Sequence, residues 1–337
     1  MKSLALVAAL GLSSVVALPG LAREECGTCT VGAEAKLVWS SFVTAEGLAA
    51  VIAEPGVLVV DVRSADEYAA GHIPGAINLP GKQWRTGKAK PGHGDSQYLF
   101  RDAEGELDVA RYERLLSTAG ISNDHRVVIY GNHAGKGDGS IPVLILDVLG
   151  HKQVSFLNGV GLTEWQAAGF DVATEPTVLP TSTFVAAAAE PEAIWNLDDV
   201  QAHIGDDAVV FVDTRSAAEF NGDAAQLTKR GNLRGGRIPG AVLLDYADQL
   251  DSDKRVIDAA AIKAQFEERG ITPDKTVVLY CQTATRVSLP YLALRDLGYE
   301  NVVVYDASWH EYGNRPDTAI EGETRLAESE PELTAGG

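Results

Sequence analysis

The chain has 337 residues, 45% hydrophobic and 22% charged, enough for two cores at roughly 100–200 residues per domain. This composition excludes collagen-like, coiled-coil and wholly disordered chains, and three cysteines are too few for a disulfide scaffold. With 28 basic against 47 acidic side chains and a formal charge of −19, the surface repels phosphate backbones and anionic lipid, which argues against nucleic-acid and membrane partners.

In chain order, Lys2 precedes an apolar run from Leu4 to Leu18, and Pro19-Gly20-Leu21-Ala22 puts small residues just before a cut after Ala22. The run is short of the ~20 apolar residues that a membrane span needs. Residues 1–22 therefore read as a signal peptide, and the mature protein is expected to be periplasmic or secreted, with no membrane attachment after cleavage. An extension follows over 23–43. It contains Cys26-Gly27-Thr28-Cys29, and Thr30 stands where haem attachment needs histidine. One such pair cannot complete a four-ligand zinc site, so no metal is expected, and a local Cys26–Cys29 disulfide is the reading for an oxidising compartment.

From there the chain repeats itself. Val57 to Asp61, then Val62-Arg63-Ser64-Ala65-Asp66-Glu67-Tyr68, recurs as Val209 to Asp213, then Thr214-Arg215-Ser216-Ala217-Ala218-Glu219-Phe220. Gly71-His72-Ile73-Pro74-Gly75-Ala76 recurs as Gly236-Arg237-Ile238-Pro239-Gly240-Ala241, and the apolar run ending at Tyr130 recurs ending at Tyr280. Each copy alternates short β-branched runs with amphipathic stretches, the pattern of a parallel sheet covered on both faces. The expected division is a first domain over 44–175, a Pro- and Ala-rich linker over 176–193, a second domain over 194–322 and a frayed acidic tail from about 323 to 337.

The chemistry concentrates after Tyr280, in Cys281-Gln282-Thr283-Ala284-Thr285-Arg286. A buried strand running into a cysteine, a tight loop of small residues and a helix places sulfur beyond the carboxyl end of a sheet. Loop amides, the helix N-terminus and Arg286 are expected to favour thiolate over thiol, below the free value of ~8.5.

On these residues the chain resembles the tandem-domain rhodaneses, sulfurtransferases of the thiosulfate and 3-mercaptopyruvate type. The resemblance spans residues 44 to 322 and rests on both Asp-x-Arg strand ends, both Ile-Pro-Gly-Ala motifs, Cys281 and the closing Ala307-Ser308-Trp309-His310-Glu311-Tyr312. It implies an α/β fold of two tandem rhodanese-like domains, each a five-stranded parallel sheet with helices on both faces. It also implies sulfane-sulfur transfer through a Cys281 persulfide to cyanide or a thiol, a ping-pong cycle without metal or organic cofactor. A small anionic sulfur donor is the expected substrate, and a protein sulfur acceptor a further partner. By location alone, Cys26 and Cys29 are candidates to accept that sulfur.

The first copy has Gly131 where the second has Cys281, and contains no cysteine, so it reads as a structural wall of the site. Four residues separate Cys281 from Arg286, one fewer than in the phosphatases of this fold, which makes the cradle a better fit for sulfur than for phosphoryl. A Cys-x4-Arg phosphatase or arsenate-reductase-like enzyme is thus the weaker alternative to a transferase, and a persulfide or selenium carrier for a dedicated partner is the non-enzymatic one. Mercaptopyruvate enzymes place an arginine where this chain has Glu219, which would repel an anionic donor. Lys229, Arg230, Arg234 and Arg237 crowd the segment inserted in the second copy, and the last three are the expected donor-binding cations.

Overall fold

The computed structural model describes residues 41–85, 98–102, 105–133, 139–186 and 191–325. The first repeat runs β1 (Phe42–Val43), α1 (Ala45–Val51), β2 (Val57–Asp61), α2 (Ala65–Ala70), β3 (Ile77–Asn78), α3 (Val109–Thr118), β4 (Arg126–Tyr130), α4 (Ser140–Val148), β5 (Val154–Leu157) and α5 (Gly161–Ala167). The second runs β6 (Ile194–Trp195), α6 (Leu197–Ala202), β7 (Val209–Asp213), α7 (Ala217–Phe220), α8 (Ala224–Arg230), β8 (Arg234–Arg237) and β9 (Val242–Leu243). It continues through α9 (Ala259–Glu267), β10 (Thr276–Tyr280), α10 (Ser288–Asp296), β11 (Val302–Tyr305), α11 (Ser308–Tyr312) and β12 (Glu321–Arg325). The two five-stranded sheets have the same order, β1-β5-β4-β2-β3 and β6-β11-β10-β7-β9. All their pairs are parallel.

Continuous apolar strands follow from burial on both faces. In the second sheet, Val210, Val212, Val277, Leu279, Val302 and Val304 face one core. The alternate residues Phe211, Val278, Tyr280, Val303 and Tyr305 face another, with Trp309 and Tyr312. The central registers coincide: Asp61 pairs with Tyr130 and Asp213 with Tyr280, so both Asp-x-Arg motifs leave the sheet beside the end of the neighbouring strand. There Arg63 and Arg215 each grip their own aspartate, Arg63 reaching the Gly71 carbonyl and Arg215 the Gly236 carbonyl, each at 2.7 Å. These pairs brace the turn that carries Ile-Pro-Gly-Ala.

The two repeats join through equivalent helices. α4 and α10 begin Ser-Ile-Pro and Ser-Leu-Pro, and Ser140 Oγ meets Ser288 Oγ at 2.6 Å. That contact between matching residues marks a local pseudo-two-fold axis. Tyr291 donates to Asp147 across it at 2.8 Å. A second clasp lies near the sheet ends, where buried Asp306 accepts the amides of Leu99 and Phe100 from the first repeat at 2.7 and 3.0 Å. Burial pushes the Asp306 carboxyl up, and those two amides oppose the rise.

The connector lies along the first repeat: Thr177 donates to Tyr68, Ser182 to the Ser117 carbonyl and Val185 to Asn123. Residues 323–325, expected to lie in a frayed tail, belong to a strand. Glu321–Arg325 forms β12, antiparallel to β8, because Thr324 Oγ1 donates to the Gly222 carbonyl at 2.6 Å and Glu321 pairs with Arg237.

Candidate active site

β10 is the middle strand of the second sheet, and Cys281 leaves its carboxyl end fully buried. The following loop curls back on the sulfur: Ala284 takes a left-handed φ of 51°, and the Arg286 amide donates to Cys281 Sγ at 3.3 Å. Such a φ costs about 1–2 kcal/mol for a residue with a Cβ. What holds it is Ser308, itself at φ 55°, whose Oγ accepts the Cys281 amide at 3.2 Å and the Ala284 amide at 3.1 Å. Ser308 Oγ in turn donates to the Tyr305 carbonyl at 2.9 Å, and the Trp309 and His310 amides cap the Cys281 and Gln282 carbonyls. The expected ring of amides on sulfur is therefore shared: Arg286 N–H faces Sγ, while the amides of Cys281 and Ala284 face Ser308.

Each remaining loop residue has a defined partner. Gln282 exchanges two amide hydrogen bonds with buried Asn232, at 2.7 and 3.1 Å. Thr283 and Thr285 lie on the partly exposed side of the loop with their hydroxyls 3.4 Å apart, and Ser288 Oγ donates to the Thr285 carbonyl at 2.9 Å. The guanidinium of Arg286 makes a two-pronged pair with Glu219, at 2.7 and 2.9 Å, while staying within electrostatic reach of Cys281. The charge expected beside the thiolate is thus shared between Cys281 and Glu219.

Glu219 also corrects its own expectation. It does not stand as a bare repulsive charge, because Arg286 and Arg230 (3.3 Å) both neutralise it, and its carboxylate closes the capping box with Ser216. Burial alone would raise its pKa. The Arg286 hydrogen bonds and charge, followed by Arg230 and Ser216, hold it down to about 2. The Ser-x-x-Glu spacing was the local sign of this residue, but its capping role says nothing of Arg286.

The three arginines expected to bind donor separate. Arg230 stays with the Glu219 pair at the edge of the site. Arg234 is 5% exposed and its guanidinium serves the Thr318 carbonyl (3.1 Å), the Arg315 carbonyl and Thr318 Oγ1, all in the C-terminal segment. Arg237 pairs with Glu321 and lies over the Phe220 ring at 4.5 Å. The β8–β12 pairing causes this, since it brings carbonyls and carboxylates from residues 312–325 alongside the inserted segment. Among the described residues, no cluster of three or more His, Cys, Asp or Glu is placed to hold a metal ion. Cys26 and Cys29 lie outside the described residues.

Two contributors have no sign in the local motif. Ser308 sits in a motif legible only as a closing turn. Arg85 comes from the first repeat and reaches the Thr283 carbonyl at 3.4 Å and Thr285 Oγ1. Ser308→Ala should leave two buried amides without an acceptor, at about 1–3 kcal/mol each. The expected result is a lowered denaturation midpoint and at least a tenfold loss in the rate of Cys281 modification; an unchanged rate would remove Ser308 from the loop's support.

Comparison with known proteins agrees with this geometry. The profile described as "Rhodanese-like domain" matches residues 44–168 and again 196–315. The chain is 33% identical over 275 residues to a thiosulfate sulfurtransferase of Azotobacter vinelandii, covering 81% of this chain and 94% of that one. It is 32% identical over 272 residues to the sulfur carrier protein TtuD of Thermus thermophilus, covering 77% and 89%. A solved structure of the anaerobic ergothioneine biosynthesis enzyme from Chlorobium limicola superposes with a TM-score of 0.69 at 23% identity, over 83% of this chain and 70% of that one, which shows a shared fold. Two matched domains, the sheet order common to both and the cysteine loop on only one of them make this chain a member of the rhodanese-like family of sulfurtransferases, in tandem form.

Proposed function

We propose that this protein moves sulfane sulfur from thiosulfate or a related anionic donor to cyanide or a thiol through a persulfide on Cys281. The observation that carries the reading is the six-residue loop closing on a buried sulfur, with Arg286 N–H 3.3 Å from Sγ. In the first half-reaction the thiolate attacks the outer sulfur of thiosulfate. An Sγ–S bond forms, the donor's S–S bond breaks, and sulfite leaves with the electron pair. In the second, cyanide attacks the outer sulfur, thiocyanate leaves and the thiolate returns. The name borne by the Azotobacter relative supports this assignment.

A carrier that holds the persulfide for a protein acceptor is the second reading. It is favoured by the complete burial of Cys281, which shields bound sulfur from small acceptors, and by the similarity to a sulfur carrier protein. Intact-protein mass spectrometry separates the two. A gain of one sulfur atom on the Cys281 peptide after thiosulfate or 3-mercaptopyruvate, lost on adding cyanide, is expected of the transferase. Sulfur that stays bound in excess cyanide supports the carrier, and no adduct from either donor overturns both readings.

The reading includes export. Lys2, the apolar run and Ala22 support cleavage of residues 1–22. The protein recovered from fractionated cells should begin at Arg23 outside the cytosol; a cytosolic chain that keeps residues 1–22 would refute this.

A further inference from the structure

We propose that the Tyr246 hydroxyl donates a hydrogen bond to the outer sulfur of the Cys281 persulfide and so stabilises the loaded enzyme. The inference concerns that intermediate and rests on the persulfide reading.

Tyr246 opens a 3-10 turn, Tyr246–Gln249, shortly after β9, and the backbone places that turn beside the cysteine. β9 runs parallel to β7, and the Tyr246 amide donates to the Thr214 carbonyl at 3.4 Å, just past the end of β7. Thr214 in turn donates to the Tyr280 carbonyl, through its amide at 2.9 Å and its hydroxyl at 3.1 Å, one residue before Cys281. The turn packs against α10, the helix that follows the cysteine loop, and Asp245 caps it by accepting the Ala247 amide at 3.0 Å. The phenol lies within electrostatic reach of Cys281, Arg286 and Arg230.

What sets Tyr246 apart is a hydroxyl that nothing in the fold uses. Around the loop, Arg286 is held by Glu219, Gln282 by Asn232, and Ser308 by the Cys281 and Ala284 amides. The Thr283 and Thr285 hydroxyls face each other. The half-buried Tyr246 hydroxyl makes no hydrogen bond to any described residue. Burial pushes this phenol up from its ordinary value, with Arg286 opposing and Asp245 adding to the rise, so at neutral pH it keeps its proton. The first repeat lacks the phenol at the matching place. There the Gly81 amide donates to the Val62 carbonyl at 2.8 Å, so Gly81 stands for Tyr246 just as Gly131 stands for Cys281.

A persulfide puts its second sulfur about 2 Å beyond Sγ, and that sulfur carries the negative charge. The amides of Cys281 and Ala284 are engaged by Ser308, which leaves the Arg286 amide on Sγ. A phenol donating to the anion adds a charge-assisted bond, roughly twice as strong as a neutral one. No proton is transferred, and Tyr246 keeps its hydrogen in both half-reactions.

Tyr246→Phe in the full chain removes only the oxygen and tests this directly. The protein is equilibrated at fixed ratios of thiosulfate to sulfite, and intact-protein mass spectrometry gives the fraction carrying one added sulfur. The equilibrium constant for loading should fall about tenfold or more, the order of one hydrogen bond to a charged group. The denaturation midpoint should not move, because the hydroxyl has no partner to lose in the unloaded chain. Loading and its reversal by sulfite slowed by one factor, with the equilibrium unchanged, would overturn the inference and make Tyr246 a brace of the loop. A lowered midpoint would overturn it by showing that the hydroxyl is already engaged before sulfur arrives. A wild-type protein that takes no sulfur from thiosulfate or 3-mercaptopyruvate would instead defeat the persulfide reading, and this inference with it.

Discussion

Cys281→Ser should lose sulfur transfer by at least about 10⁴-fold, with no sulfur adduct from thiosulfate or 3-mercaptopyruvate, while remaining folded. Two features make the variant informative. The cysteine is fully buried at the end of β10, so a hydroxyl of nearly the same shape adds no cavity of consequence. The Arg286 amide that faces Sγ can be accepted by an alcohol oxygen as well, and the Ser308 bonds to the Cys281 and Ala284 backbones are untouched. Stability should therefore stay within about 1 kcal/mol of the parent. A serine variant that still produces thiocyanate from thiosulfate and cyanide would place the nucleophile elsewhere.

Glu219→Gln should have the second large effect, on two observables in opposite senses. The carboxylate is 3% exposed and bound through both oxygens to Arg286, so neutralising it strands a partly buried guanidinium. Breaking such a pair from one side costs on the order of 3 kcal/mol, which a denaturant midpoint will report. The positive charge of Arg286 and Arg230 is then no longer offset beside the loop, and the KM for thiosulfate should fall. An unaltered midpoint together with an unaltered KM would show the pair to be inconsequential.

The same residue sets an acid limit. Glu219 is held at about 2 in the folded chain against an ordinary value of 4.5, so its contribution to stability is full above that ordinary value. It declines as pH falls from there towards 2. Acid unfolding of the Gln variant should be less steep in that window than that of the parent.

The duplication and the cysteine loop are both local in the chain, which is why they are legible in it. Asp-x-Arg at a strand end, Ile-Pro-Gly-Ala in the next turn and a strand–cysteine–helix succession each depend on neighbours a few positions away. Their order predicts the paired sheets and the position of Cys281 beyond β10. The partners of the clustered cations were less legible because a charge has no partner until the chain folds. Arg230, Arg234 and Arg237 look alike within one short segment, yet one joins Glu219, one the Thr318 and Arg315 carbonyls and one Glu321. That sorting comes from β12 returning to pair with β8, in a stretch whose glutamates read as a frayed tail.

By itself, then, the sequence determined two α/β repeats, a nucleophile in only one of them and a loop of six residues, since strand burial, turn chemistry and loop length are short-range properties of the chain. Tertiary structure alone decided which charges face that loop. It paired Arg286 with Glu219, 67 positions away, and set Arg85 against Thr285 across 200. The physical reason is that ion pairs form between whichever side chains the packed sheets and the α4–α10 contact bring together, and separation along the chain carries no record of that distance.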